Sequence, residues 1–405
     1  MDEKYFDDYE DFYEMTENVL PPHRALWAEI NLENVIYNLS SIRAKAGAKA
    51  KIMAVVKADA YGHGFEMIDV LQQEGVDYFC VAFCDEAIAI RQSGIEETPI
   101  VLLGNTEADR IPELIDWNIE PAVYQYDFAK ALSDYCEKED TVVKIHIKVD
   151  TGMGRIGWRW DEAADAIEKI AQLPGIKVQG MFSHFSVADE IGEDSKEYTR
   201  LQLDRFAAVG KALKERGIQI PLKHIENSAA IMTFSKTVFD GVRPGIILYG
   251  LYPSAEMDRN KLPLMPVMSL KTKIVHIKTI HAGDAVGYGR KYIAASDRRI
   301  ATLPVGYADG YTRMLSGKGT EVYVCGKRAP IVGNICMDQC MIDITDVPEA
   351  KLFDEVELFG EHIPVEELAD RLGTINYELV CMINKRVPRI YTFMGDKFLS
   401  NGIIK

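Results

Sequence analysis

At 405 residues the chain is longer than one hydrophobic core usually supports, and a 47% hydrophobic composition is enough to fill two. Its formal net charge of −16 excludes a nucleic-acid surface, which needs a basic face to displace counterions from phosphates. No run is apolar for long enough to span a membrane, and the seven cysteines, odd in number and scattered, carry no signal peptide ahead of them, which points to reduced thiols in the cytoplasm.

Residues 1–22 form an acidic N-terminal extension rich in aromatics, readable either as a solvated arm or as one docked through Tyr5, Phe6, Tyr9, Phe12 and Tyr13. Residues 23–264 then alternate short apolar runs with segments of helical period. The predicted strands are Ile52 to Lys57, Tyr78 to Phe83, Pro99 to Gly104, Ile119 to Tyr124, Val142 to Asp150, Val178 to His184, Leu222 to Asn227 and Gly241 to Tyr249. Between them lie predicted helices over Phe65 to Glu74, Asp85 to Gln92, Asp161 to Leu173 and Lys196 to Arg216, the last with an apolar stripe at Leu201, Leu203, Phe206, Val209 and Leu213. Such alternation fits a (β/α)8 barrel with its site at the carboxyl ends of the strands; a doubly wound sheet is the competing topology.

Residues 265–405 change to extended segments at Met268 to Ile280, Arg299 to Pro304, Glu321 to Cys325, Ala329 to Ile335, Met341 to Ile344 and Glu355 to Phe359. Gly, Asp and Pro turns separate them, so this half reads as a mainly β domain, interrupted by a helix over Pro364 to Leu372. Cys336 and Cys340 lack the second pair of ligands that a zinc site requires, and no metal is expected.

Lys57 closes the first strand, where desolvation would lower its pKa and leave an amine able to form a Schiff base; an ordinary ion pair is the competing reading. The fifth strand runs on through Lys148 to Gly157. It holds the letters of a dinucleotide fingerprint, but the following strand ends in Ser183-His184 without the acidic residue that a ribose needs. Read as a barrel loop, it brings Arg155 to the rim, where its planar fork suits a carboxylate. The turn at Asn227-Ser228-Ala229-Ala230 offers a hydroxyl and free backbone N–H groups, or simply a helix cap at Ser228, and Gly245 permits close approach of backbone to a phosphate. A lysine facing a phosphate cradle suggests pyridoxal 5′-phosphate as cofactor.

These residues carry a resemblance. Ala54 to Gly64 resembles the cofactor-attachment signature of the alanine racemases, and the likeness covers about residues 24 to 395. It continues through Phe182 to Phe185, Asn227 to Ala230, Val242 to Gly245, Gly287-Tyr288-Gly289, Val305 to Gly310, Gly333 to Gln339, Ile375 to Glu378 and Arg386 to Arg389. The resemblance implies a pyridoxal phosphate barrel followed by a β domain, with Lys57 as the Schiff-base lysine. It places the phosphate near Tyr61, Ser228, Gly245, Ile246 and Tyr377, and the ring beside His184 with Arg243 at its nitrogen. Arg155 and the Met337 backbone would receive the substrate carboxylate. Tyr288 would be the second catalytic base, and a head-to-tail homodimer would bring Tyr288 and Met337 to the neighbouring barrel. Lys148 aligns with a lysine that is carbamylated in some members; an unmodified amine in an ordinary pair is equally open here.

Removing the α-proton from one face and returning one to the other requires bases on both sides of the carbon, which Lys57 and Tyr288 supply. Arg243 cannot plausibly release a proton, so the ring would stay unprotonated and side reactions would be suppressed. Asn334 stands where the family often has an arginine, which bears on substrate breadth. The expected function is racemisation of alanine for peptidoglycan; the alternatives are a broader serine or basic amino-acid racemase and a non-catalytic binder of the cofactor.

Overall fold

The structure, a computed structural model, describes residues 24–399, so the acidic extension over 1–22 lies outside the described residues. The chain divides into two compact units. One comprises Val35–Ala60 and Met67–Met265; the other takes residues 24–34, Tyr61–Glu66 and 266–399.

The first unit is a closed barrel of eight parallel strands. They are Lys51–Val55, Tyr78–Val81, Ile100–Leu102, Ile119–Val123, Val143–Asp150, Ile176–Phe182, Leu222–Glu226 and Gly241–Val242. Pairing of Ala122 with His146 and Val123 with Ile147 joins the fourth strand to the fifth and closes the ring, which removes the doubly wound alternative. Strands buried on both faces read as continuous apolar runs, as Ile52 to Val55 does, whereas Val143–Asp150, Ile176–Phe182 and Leu222–Glu226 carry polar residues between apolar ones; seven of the eight still overlap the predicted spans closely.

The eighth departs from expectation. Only Gly241–Val242 is strand, and the apolar run Ile246–Tyr249 is a 3-10 turn instead. Pro244 lacks an N–H for a ladder, although its carbonyl still accepts the Val55 N–H at 2.9 Å. The long helix Glu193–Glu215 also differs in detail: it buries Thr199, Gln202, Phe206, Val209 and Leu213, while Leu201 is exposed. Leu201 is one position out of phase with Gln202, about 100° round the helix, and so leaves the core-facing stripe.

The second unit is built on a sheet of ten strands. The run expected over Met268 to Ile280 is two strands, Met268–Lys273 and His276–Ile280. The chain changes partners between them: the first pairs with Glu355–Phe359 and the second with Arg298–Leu303. Leu26–Asn31 belongs to this sheet, antiparallel to Met268–Lys273 and parallel to Arg389–Phe393. The helix Asn376–Met382 and the strands after it had no counterpart among the predicted elements.

Among the described residues, no helix is long and apolar enough to cross a membrane.

Candidate active site

Lys57 is half-buried and opens a turn rather than ending the strand, which stops at Val55. The four residues after it, Ala58, Asp59, Ala60 and Tyr61, all have φ between 51° and 55°, a left-handed turn made without glycine. L-residues avoid this conformation because Cβ crowds the following carbonyl, at roughly 1–2 kcal/mol each.

Specific contacts hold the turn. The Ala60 N–H donates to Val56 O at 3.0 Å, and the Ala58 N–H donates to Glu86 Oε1 at 2.7 Å. Glu86 Oε2 accepts from Ala82 N at 2.8 Å, so one carboxylate fastens the Lys57 turn to the loop after the second barrel strand. Tyr249 donates its hydroxyl to Val55 O at 2.9 Å from below. Glu86 was not singled out in the sequence; its only sign was an acidic residue at the start of a helix after a strand.

Around the same rim, the Asp150–Gly157 loop winds around its own first residue. Asp150 Oδ1 accepts the N–H groups of Gly152 at 2.9 Å and Gly154 at 3.1 Å, so these glycines serve a carboxylate and not a dinucleotide. Gly157, at φ 126°, lets the loop return against the strand, since a Cβ there would stand 2.7 Å from Asp150 N. Arg155 is thereby left exposed at the tip.

Lys148 is buried, with its ammonium 5.2 Å from the centre of the Phe182 ring. Burial, followed by Arg243 and Arg155, lowers its pKa to about 7. Arg243 stands over Phe182 as well, at 5.6 Å, and burial brings its pKa down to about 10, leaving it cationic at neutral pH. Its Nη1 donates to His224 Nδ1 and His224 O, both at 2.8 Å. Its Nη2 donates to Ser183 O at 2.6 Å, Ile225 O at 3.2 Å and His184 Nδ1 at 3.3 Å. Both terminal nitrogens are thus spent, while the Nε–H has no acceptor among the described residues. Burial, then Arg243, Lys148, Arg155 and Lys57, holds His184 well below the usual imidazole range, so it is neutral. His224 is neutral for a similar reason, burial first and then Arg243.

Ser228 proves not to be the helix cap. Asn227 takes that role, its Oδ1 accepting from Ala230 N at 3.0 Å. Ser228 Oγ instead accepts the Gly245 N–H at 2.9 Å, tying together the loops after the seventh and eighth strands and leaving its own O–H to donate. Ile246 follows, fully buried.

The remaining predicted residues lie in the β unit. Tyr61 and Tyr377 have ring centres 6.1 Å apart. Tyr288 is 68% exposed, on a turn between Gly287 and Gly289 at φ 69° and 72°. Asn334 donates to Tyr288 O at 2.7 Å and so braces this turn. Met337 is 54% exposed, and its carbonyl accepts from Ala308 N at 3.0 Å. Gly306 permits this approach: a Cβ there would lie 2.3 Å from Met337 O.

Two protein families match the chain: alanine racemase, N-terminal domain, over residues 30–253, and alanine racemase, C-terminal domain, over 267–391. An alanine racemase of Clostridium novyi is 50% identical over 380 residues, covering 92% of this chain and 97% of that protein. The solved alanine racemase of Clostridium difficile 630 superposes with a TM-score of 0.89 at 41% identity, over 93% of this chain and 98% of its own. That of Bacillus anthracis with bound L-Ala-P gives 0.86 at 36%, over 93% and 97%.

Proposed function

The chain belongs to the alanine racemase family, and from that membership we propose that it interconverts L-alanine and D-alanine with pyridoxal 5′-phosphate attached at Lys57. It is an amino-acid racemase, and alanine is its substrate. Arg243 carries the cofactor assignment. With both terminal nitrogens committed inside the barrel, its Nε–H suits an acceptor that cannot itself be protonated from an arginine, as a pyridine nitrogen is. The guanidiniums of Arg155 and Arg243 suit an anionic ligand, as a phosphate together with an amino-acid carboxylate would be. The Ser228 hydroxyl and the backbone at Gly245 and Ile246 would hold the phosphate, with Tyr61 and Tyr377.

When bound, pyridoxal phosphate supplies an electron sink that acidifies the substrate α-proton. The chain supplies the rest. Arg155 and the Met337 backbone fix the carboxylate, which aims the α-hydrogen at a base. Lys57 removes or returns the proton on the D-face and Tyr288 on the L-face. Neutral His184, with its Nδ1 occupied by Arg243, has its other nitrogen protonated and able to donate toward the Tyr288 oxygen. Tyr288 and Met337 would come from the second copy of a head-to-tail homodimer. The exposure of both, with Met314 and Ile375 also bare on this unit, supports a face that another chain covers. Tyr377 narrows the pocket to a methyl side chain. The D-alanine would supply peptidoglycan, and the protein would work in the cytoplasm.

Incubation with L-alanine, L-serine and L-lysine in deuterated water tests the reading through chirality and α-deuterium. Racemisation of alanine well ahead of the other two is expected. Comparable rates with serine or lysine would move it to a broader racemase, and inertness of the cofactor-bound protein to all three would leave only a binder.

Lys148 allows a further check. Carbamylation joins a neutral amine nitrogen to the carbon of CO2 with loss of one proton, so it requires the uncharged amine that a pKa of about 7 provides above that pH. The resulting anion would face Arg155. Native mass spectrometry in bicarbonate is expected to show one added carboxyl group on Lys148 at about pH 8.5 that is lost at about pH 6, where the amine is protonated. A mass unchanged between the two would make Lys148 an unmodified amine.

A further inference from the structure

Inside the barrel, side chains from three strands and the segment after a fourth form one line of hydrogen bonds. Glu120 Oε2 meets His146 Nε2 at 2.8 Å, His146 Nδ1 meets His224 Nε2 at 3.1 Å, and His224 Nδ1 meets Arg243 Nη1 at 2.8 Å. All four side chains are buried.

The ends dictate the direction of the whole line. A guanidinium only donates, so His224 Nδ1 must accept and its proton must sit on Nε2. That proton goes to His146 Nδ1, which places the His146 proton on Nε2. There it meets a carboxylate, which only accepts. Neither imidazole has any choice of tautomer. Glu120 Oε1 faces Lys144 Nζ at 3.6 Å, outside the line.

The barrel wall is shaped for this. Gly180 on the sixth strand lies opposite His146, and a Cβ there would stand 2.2 Å from His146 Nδ1. Gly180 is not at a positive φ, so what a side chain would violate at this position is the space that lets His146 reach past the sixth strand to the seventh. Phe182 then stacks flat on His224, with centroids 5.1 Å apart and planes at 2°.

We propose that Glu120 and His146 are positioning residues for Arg243. Through His224 they pin Nη1 and thereby set the plane of the guanidinium, so that its Nε–H is the edge presented to a ligand. This rests on the reading that Arg243 meets the cofactor ring. Unlike an ion pair, the line acts through proton placement: remove its terminal acceptor and the His146 Nε2–H is buried without a partner, so the cheapest repair is to move that proton to Nδ1. His146 Nδ1 would then donate to His224 Nε2, which drives the His224 proton onto Nδ1, where the Arg243 donor already stands, and Arg243 would lose its acceptor.

The test is nitrogen NMR of histidine-labelled holoenzyme together with steady-state kinetics. In the unmodified protein His146 and His224 are each expected to carry the proton on Nε2 with Nδ1 bare. Glu120→Leu is expected to change both tautomers and lower kcat about tenfold while KM for alanine moves less than about twofold. Glu120→Gln, whose carbonyl can accept, is expected to restore the tautomers and most of kcat. A proton on Nδ1 of either ring in the unmodified protein overturns the proposal, a result available even if Glu120→Leu fails to fold. So does a folded Glu120→Leu with unchanged tautomers and kcat. The expected tautomers in a protein that does not racemise alanine would support the line and overturn the function instead.

Discussion

Replacing Lys57 with alanine is expected to abolish the visible absorption of the bound cofactor and to slow alanine racemisation at least about 10⁴-fold. Two losses combine. Without the amine there is no covalent attachment at the barrel rim, and the base for one face of the substrate disappears with it. Lys148 is the nearest replacement by chemistry, with a pKa near 7, but it lies beneath Phe182 with its amine donating to Val149 O at 3.3 Å. An absorption spectrum of the variant reconstituted with cofactor, followed by racemisation assays in both directions, measures the two losses separately. An intact absorption band with a normal rate would remove Lys57 from both roles.

Tyr288→Phe is expected to keep that absorption and to reduce racemisation by about 10²- to 10⁴-fold, the range for loss of a general acid–base group. The effect has an instructive form. Enantiomers have equal free energy, so loss of one base must slow net interconversion equally in both directions, however one-sided its role. Only exchange without inversion reveals the side. In deuterated water D-alanine should still exchange its α-hydrogen through Lys57, whereas exchange from L-alanine should fall with racemisation. The phenylalanine keeps the ring on its turn, and the brace from Asn334 is to the backbone oxygen, so the turn itself is preserved. Normal exchange from L-alanine in this variant would defeat the two-base assignment.

The barrel was legible because its strands are short β-branched runs, buried on both faces and punctuated by glycine, aspartate and proline. The same rule misled at Ile246–Tyr249, where an equally apolar run is a 3-10 turn because burial, not ladder pairing, is what its composition records. Leu26–Asn31 was missed because its partners, Met268–Lys273 and Arg389–Phe393, are hundreds of residues away and local pattern carries no trace of them. Among the residues proposed for the site, Lys57, Arg155, Arg243 and Tyr288 stood out through motifs. Ser228 was read with a cap as one option, yet Asn227 beside it is the better-placed acceptor for the third N–H of the helix. His224, His146 and Glu120 passed unnoticed although each is a polar residue inside an apolar strand. That anomaly was the available signal, and only the closure of the barrel shows that the three meet.

The left-handed turn after Lys57 has a consequence for how the protein is made. Four L-residues in that conformation cost roughly 4–8 kcal/mol together, a sum of the same order as the net stability of a whole domain. The nascent chain has no local reason to adopt it; Val56, Glu86 and the loop after the second strand must already be in position to hold it. The amine is therefore displayed in its working geometry only by a barrel that has already assembled. On the proposed attachment at Lys57, a half-made chain would offer the cofactor's aldehyde a lysine like any other, and the finished fold alone would distinguish it, so that assembly itself would license loading.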